Sequence, residues 1–152
     1  MSSINWTDPN SKVSTHFNVK DCLYLPQWSR LANEKDGLTQ EIKDNLVNLC
    51  AKMEVIRTFF GNKPIIVHCM YRPIEYNKLV GGSNASGHLK GLAIDFHIQG
   101  LEGNEGCDTA RKYLLPHLEE FNIRMEDISS KNSRGWIHLD LKPVVTTRYF
   151  KP

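Results

Sequence analysis

The segment SGHLKGLAID, residues 86–95, places a histidine and an aspartate close together among small residues. His88 and Asp95 are separated by six residues, and Gly87 and Gly91 allow the chain around them to turn tightly. A catalytic zinc ion takes three protein ligands, which include imidazole and carboxylate, and keeps one position open. Taken alone, the two residues also fit a solvated surface loop. The spacing therefore indicates two of three metal ligands, with the third to come from elsewhere.

The segment GWIHLDL contains the best-placed third ligand, His138. The segment has the residue types of a strand, which would pair with its neighbours in a sheet. Side chains two positions apart on a strand share a face, so Asp140 shares that of His138 and could orient it. By the same rule His97 shares the face of Asp95. It either approaches the metal or substrate or is simply a packed, hydrogen-bonded histidine.

Three segments carry a resemblance to a known family. SGHLKGLAID fits Ser-x-His-x-x-Gly-x-Ala-x-Asp, and WIHLD fits a later Trp-[Ile/Val]-His segment. YRPIEYNKLVGGSNAS is similar to the YRSxxxNxxVGGSxxS that precedes the first histidine. Together, over roughly residues 17–141, they resemble the zinc D-alanyl-D-alanine carboxypeptidase family of peptidoglycan peptidases. That family includes phage endolysins and shares its fold with the hedgehog signalling domain.

The resemblance implies one zinc ion held by three ligands, which are His88, Asp95 and His138. It also implies that Arg72 lies at the rim, where its fork of donors would hold a substrate carbonyl or carboxylate. Ser86 would be a polar contact for substrate or ligand. Trp136 is interpreted as a wall of the substrate site, with core packing as the alternative.

The general base departs from the family pattern. Relatives place a carboxylate or histidine two or three residues before the third ligand, where this chain has Gly135 and Trp136. If NIRMED and GWIHLDL form an antiparallel hairpin, Glu126 falls roughly opposite Trp136 and shares the face of His138. Glu126 is therefore the predicted base. It would take a proton from the attacking water and return it to the leaving amine in zinc-assisted hydrolysis, with Arg72 polarising the carbonyl.

The elements that must position these residues have an α+β pattern. Thr39 is a predicted cap for a helix that ends at Gly61. The apolar residues of this helix form one stripe: Ile42, Leu46, Leu49, Met53, Ile56 and Phe60. Strands are predicted at PIIVHCMYR and GLAIDFHI, a helix at about 108–120 with a kink or early end at Pro116, and a possible edge strand in the tail VVTTRYFKP.

We therefore expect a single zinc peptidase-like domain, residues 1–152, with a small, mostly antiparallel sheet packed with helices and a hedgehog/DD-peptidase-like fold. His68 and Cys69 lie in an apolar strand and are predicted to be in or near the core. The four cysteines form no close pair and are predicted to be reduced and mostly buried.

Composition excludes several classes of function. A net charge of +2 and scattered basic residues do not favour nucleic-acid binding. Charged residues make up 24% and apolar residues 40% of the chain, as in soluble globular proteins, and the apolar runs are too short for membrane insertion. We expect a monomer.

The leading hypothesis is a zinc metallopeptidase of phage or prophage lysin type that cleaves peptidoglycan stem or cross-link peptides. The polar N-terminus lacks a secretory signal. We therefore expect synthesis in the cytoplasm and action on the host wall after holin release or as a virion component. The same absence disfavours a hedgehog-type signalling domain. The alternative is an inactive zinc-binding module for wall recognition or virion structure, motivated by Gly135 and Trp136. The sequence does not choose between D,D-carboxypeptidase, D,D-endopeptidase and L,D-endopeptidase activity.

Overall fold

Residues 3–127 and 135–151 are described by a computed structural model, and they form helices and strands in a mixed order. The helices are α1 (Val19–Leu23), α2 (Gln40–Phe59), α3 (Ile74–Leu79) and α4 (Gly103–Leu114). The strands are β1 (Tyr24–Leu25), β2 (Arg30–Leu31), β3 (Ile65–Cys69), β4 (Ala93–Ile98), β5 (Arg124–Glu126), β6 (Ile137–Asp140) and β7 (Tyr149–Phe150). None of the helices in these two ranges has the length and apolar character needed to cross a bilayer.

The main sheet has five strands in the order β3-β4-β6-β5-β7. All neighbours are antiparallel except β5 and β7, which are parallel. One face of the sheet carries the core residues Ile94, Phe96 and Leu139, while Asp95 and His138 lie on the other face. The α+β prediction with a mostly antiparallel sheet is confirmed, and the tail supplies the edge strand β7.

The helix predicted from the apolar stripe is α2. The Thr39 hydroxyl accepts a hydrogen bond from the Ile42 amide at 3.3 Å and so caps the first turn. The stripe packs into the core, with Phe60 only partly buried at its end. Two short helices, α1 and α3, follow Asn18 and Pro73.

Helix α4 differs from its prediction at both ends. It begins at Gly103 rather than near Asp108, and its first turn packs closely on the preceding chain. A Cβ at Gly106 would lie 2.1 Å from the carbonyl carbon of Leu101, so a glycine is needed there. The helix ends at Leu114, and a 3₁₀ turn with Pro116 follows, because proline cannot donate the next helical hydrogen bond.

Strand β3 contains a bulge at its histidine. Val67 pairs with Phe96 and Cys69 pairs with Asp95, so His68 is an extra residue without a partner in the ladder. His68 is exposed and Cys69 is half-buried. The prediction of a core or near-core position is therefore wrong for His68, because alternation along β3 places it on the exposed side with Ile66. All four cysteines are free, and the three besides Cys69 are buried.

Gly91 ends the turn that carries His88 and packs against helix α2. Its φ of +71° is left-handed, and an added Cβ would lie 3.1 Å from the Ile42 carbonyl oxygen. Gly91→Ala is expected to lower the free energy of unfolding by about 2 kcal/mol or more in urea denaturation, since strain and contact add. Gly61→Ala is the matched control, with φ of +72° and nothing within 4 Å. Equal losses in the two variants would show that the contact with α2 contributes nothing.

Candidate metal centre

The fold brings the three predicted metal ligands together. His88 lies in a 3₁₀ turn, Gly87–Lys90, Asp95 lies in β4, and His138 lies on β6 directly opposite Asp95. One ligand atom from each of these three side chains lies within 4.8 Å of the other two. It is the one such group of three or more candidate ligands in residues 3–127 and 135–151.

A hydrogen bond to the backbone fixes the orientation of the His88 ring. Its Nδ1 lies 2.5 Å from the Met70 carbonyl oxygen, which can only accept, so Nδ1 carries the proton and donates. The other ring nitrogen, Nε2, is buried and makes no hydrogen bond with any described residue. It lies 3.2 Å from Asp95 Oδ2, but in a direction that does not form a hydrogen bond. A buried ring nitrogen that makes no hydrogen bond can bind a metal ion in exchange for its proton.

Asp95 lies between the two histidines. Its Oδ1 is 2.8 Å from His138 Nδ1, and the two imidazole centroids are 5.2 Å apart at an interplanar angle of 73°. Ligands about 2 Å from a tetrahedral zinc ion are roughly 3.3 Å from one another, so these separations need little adjustment to hold an ion. The donor set of two nitrogens and one oxygen fits zinc.

The charged side chains of this cluster shift one another's pKa values. Burial alone would lower the pKa of His88, but the Asp95 carboxylate outweighs it and raises the pKa to about 10. Burial alone would lower the pKa of His138, but the hydrogen bonds to Asp140 and Asp95 outweigh this effect and raise the pKa. Burial would raise the pKa of Asp95, yet the two imidazoles hold it well below its ordinary value. The site therefore holds a carboxylate between two basic imidazoles.

A second layer of charge supports His138. Its Nε2 is 3.4 Å from Asp140 Oδ2, on the side of the ring away from Asp95. Arg124 donates two hydrogen bonds to the same carboxylate, at 2.7 Å from Nε and at 2.9 Å from Nη2. Burial would raise the pKa of Asp140, but the bonds from His138 and Arg124 lower it. Asp140 therefore lies beside His138, the ligand that it is expected to orient. Arg124, which the sequence pattern did not indicate, contacts the same carboxylate.

Asp140→Asn is expected to weaken Zn²⁺ affinity about 10–100-fold, the usual cost of losing a group that orients a metal ligand. The amide cannot hold both the His138 ring and the Arg124 guanidinium as a carboxylate does. Competition with a chromogenic chelator measures the change, and circular dichroism verifies that the variant is folded. Unchanged affinity in a folded variant would show that His138 keeps its orientation without Asp140.

The predicted base, Glu126, lies at the end of β5 and is 6% exposed. Arg124 pairs with Asp140 and Met125 with Leu139, so the same register places Glu126 beside His138. The predicted partner, Trp136, is wrong by two residues. The predicted face is retained, because directly opposed residues in an antiparallel pair project to the same side. The connecting loop, predicted at ISSKNSR, lies outside the described residues.

Arg72 and Ser86 adjoin the turn that carries His88. Arg72 Nη2 donates to Ser86 Oγ at 3.1 Å, and this same oxygen accepts from the His88 amide at 3.1 Å. The Arg72 amide also donates to the His88 carbonyl oxygen at 3.0 Å. Arg72 Nε is buried and has no hydrogen-bond partner among the described residues. The arginine is therefore held beside the ligands with part of its donor fork unused.

Three aromatic side chains lie at the other end of the same sheet face. His97 hydrogen-bonds to His68 rather than to a metal ligand, with 2.7 Å between His97 Nδ1 and His68 Nε2. The ring of Trp136 is tilted at 35° to that of His68, with centroids 6.4 Å apart. The buried Arg111 on α4 donates to the Trp136 carbonyl oxygen and fixes the chain as it enters β6. The sequence around Arg111 does not predict this contact.

Comparisons with known proteins agree with this geometry. The family model described as Peptidase M15 matches residues 27–140, which is more than half of the chain and spans all three candidate ligands. The comparison with curated proteins gives no match. The chain therefore belongs to the Peptidase M15 family of metallopeptidases.

Proposed function

We propose that this protein is a zinc-dependent hydrolase of the stem or cross-link peptides of peptidoglycan. The observation that carries the proposal is the convergence of His88, Asp95 and His138, with His88 Nε2 buried and without a hydrogen bond. Such a nitrogen is costly in a protein unless it binds something. Three ligands also leave one coordination position for chemistry.

The ligand set would hold zinc through His88 Nε2, an Asp95 oxygen and His138 Nδ1. Zinc in such a site supplies an activated water and polarises the peptide carbonyl. The protein's part is to keep both imidazoles in the tautomer that leaves these nitrogens free. The Met70 carbonyl oxygen does this for His88, and Asp140 does it for His138.

Proton transfer is assigned to Glu126. Its position beside His138, on the face that carries the ligands, supports this assignment. Glu126 would accept the proton of that water and deliver it to the leaving amine, which then departs uncharged. Gly135, three residues before His138, has no group that could do this.

Substrate binding is assigned to Arg72 and Ser86 on one side of the ligands. The buried Arg72 Nε and the remaining guanidinium protons favour a carboxylate or carbonyl of the substrate. A terminal carboxylate there would give carboxypeptidase activity, and an internal carbonyl would give endopeptidase activity. The peptidoglycan substrate itself is supported by the motif resemblance of residues 17–141.

Chelation and fragment analysis test this proposal. Purified protein should release peptides from isolated peptidoglycan, lose that activity in a chelator, and regain it when Zn²⁺ is restored. Mass spectrometry of the released fragments identifies the bond that is cut. Robust hydrolysis in the chelated sample would contradict the assignment. Zinc binding without hydrolysis of any wall type would instead favour an inactive wall-recognition or virion module.

A lysin role follows from the same proposal. A peptidase of this kind, made in a host cytoplasm, would reach its substrate after holin release or as part of a virion. Addition of the purified protein to outer-membrane-permeabilised or Gram-positive cells should lower culture turbidity. Unchanged turbidity, together with cleavage of isolated peptidoglycan, would contradict the lysin role but not the peptidase activity.

A further inference from the structure

The bulge in β3 contains one of two histidines that form a pair outside the metal site. His68 is the unpaired residue of the bulge, and its Nε2 lies 2.7 Å from His97 Nδ1. The ring centroids are 5.0 Å apart, and Trp136 lies beyond His68. His68 is exposed while His97 and Trp136 are half-buried, so the group borders solvent.

The imidazole pair has a fixed hydrogen-bonding character. One proton lies between His68 Nε2 and His97 Nδ1, so one ring donates and the other accepts. In either arrangement of neutral rings, the two remaining nitrogens are one donor and one acceptor. They are His68 Nδ1 and His97 Nε2, and neither has a hydrogen-bond partner among the described residues. The backbone of an extended peptide, which offers both C=O and N–H groups along its length, is the complement of this pair.

The pair lies on the face of the sheet that carries the metal ligands. His97 follows Asp95 by two residues on β4, which is about 7 Å along a strand. That distance equals roughly two residues of an extended substrate peptide. Along β3 and the chain after it, His68 precedes and Arg72 follows Cys69, the residue paired with Asp95. The ligands therefore have Arg72 on one side and the histidine pair on the other.

We propose that His68, His97 and Trp136 form a subsite for the acyl side of the substrate, in which the imidazole pair binds a backbone C=O and a backbone N–H of the extended peptide and the indole packs on a neighbouring side chain. This inference rests on the proposed function, because Arg72 is assigned to the substrate carboxylate or carbonyl on the other side. The substrate class that follows is a peptide with at least one further peptide group before the scissile bond. A free dipeptide lacks that group.

Two probe peptides with the same scissile D-alanyl-D-alanine bond distinguish a substrate that has this further peptide group from one that lacks it. N-acetyl-L-lysyl-D-alanyl-D-alanine carries peptide groups before the D-alanyl-D-alanine bond, and the dipeptide D-alanyl-D-alanine carries none. The zinc-loaded wild-type protein should have the higher kcat/KM for the longer probe. His97→Phe should reduce the ratio of kcat/KM values, longer probe over dipeptide, about 2–10-fold through KM, the worth of one uncharged hydrogen bond. His97→Gln, which retains an amide donor and acceptor, should recover part of it.

The matched control is His117→Phe, which changes another partly exposed histidine far along the chain and should leave the ratio as in wild type. A ratio that is equal in wild type and His97→Phe would overturn the subsite.

A binding experiment decides the subsite even if no hydrolysis is found. In imidazole ¹⁵N spectra of the zinc-loaded protein, the longer probe should shift the His68 and His97 resonances, and the dipeptide should not. Absence of these shifts at a saturating concentration of the longer probe would overturn the subsite. Shifts without cleavage of either probe would retain the subsite and reject the proposed peptidase activity.

Discussion

Asp95→Asn is expected to lower kcat/KM by about 10³-fold or more and to weaken Zn²⁺ binding by a comparable factor. Groups that merely orient a ligand are worth 10–100-fold, and a ligand itself is worth more. The carboxylate also has an electrostatic role, because it lies 3.2 Å from His88 Nε2 and 2.8 Å from His138 Nδ1. A neutral amide removes the negative charge that balances the cation, and its NH₂ group competes for the same imidazole lone pairs.

The measurement pairs chelator competition for Zn²⁺ with hydrolysis of a soluble peptide. Asp44→Asn is the matched control, since it makes the same change of charge on the exposed side of α2 and should retain wild-type values. Circular dichroism of both variants verifies the fold. A folded Asp95→Asn protein with wild-type zinc affinity would remove Asp95 from the ligand set and with it the geometry of the proposed site.

Much of this geometry follows from local rules that a sequence displays. Alternation along β4 places Asp95 away from the core residues Ile94 and Phe96, and the same rule applies to His138 on β6. Once the two strands are neighbours, their side chains meet across the sheet. The order of the motifs indicated these residues, and the pairing of Asp95 with His138 brings them together.

Register and bulges are not visible in the same way. An extra residue in β3 leaves the apolar pattern PIIVHC unchanged, yet it leaves His68 without a partner between the residues paired with Phe96 and Asp95. The two-residue error for Glu126 has a similar origin. The register of β5 on β6 includes contacts such as the Arg124–Asp140 ion pair, in which Arg124 looks like an ordinary surface charge in its own segment.

The tautomer of His88 is a tertiary property. It depends on the Met70 carbonyl oxygen, a backbone atom that any residue would supply and that no motif reports. The start of α4 was missed for a different reason. Glycines at 103 and 106 argue against a helix by propensity, but close packing against Leu101 requires a small residue there. In both cases a distant contact decides what the local sequence leaves open.

Glu126→Gln is expected to lower kcat about 10²–10⁴-fold, the range for loss of a general acid–base group. Zn²⁺ affinity should stay near the wild-type value, because the group of candidate ligands is His88, Asp95 and His138. Glutamine fills the same buried space as the glutamate, which is 6% exposed, so packing is retained while proton transfer is lost. The combination of lost turnover and retained metal distinguishes a base from a ligand.

Glu119→Gln provides the matched control, since Glu119 is exposed beyond α4 and its substitution should change neither quantity. Wild-type kcat in Glu126→Gln would exclude Glu126 from proton transfer, and a loss of zinc equal to that of Asp95→Asn would make it a ligand. In the proposed mechanism, Glu126 beside His138 replaces the group that the resembled family carries just before the third ligand. The proposed hydrolysis would therefore depend on the register of two short strands, since a shift by one residue would turn Glu126 to the core face.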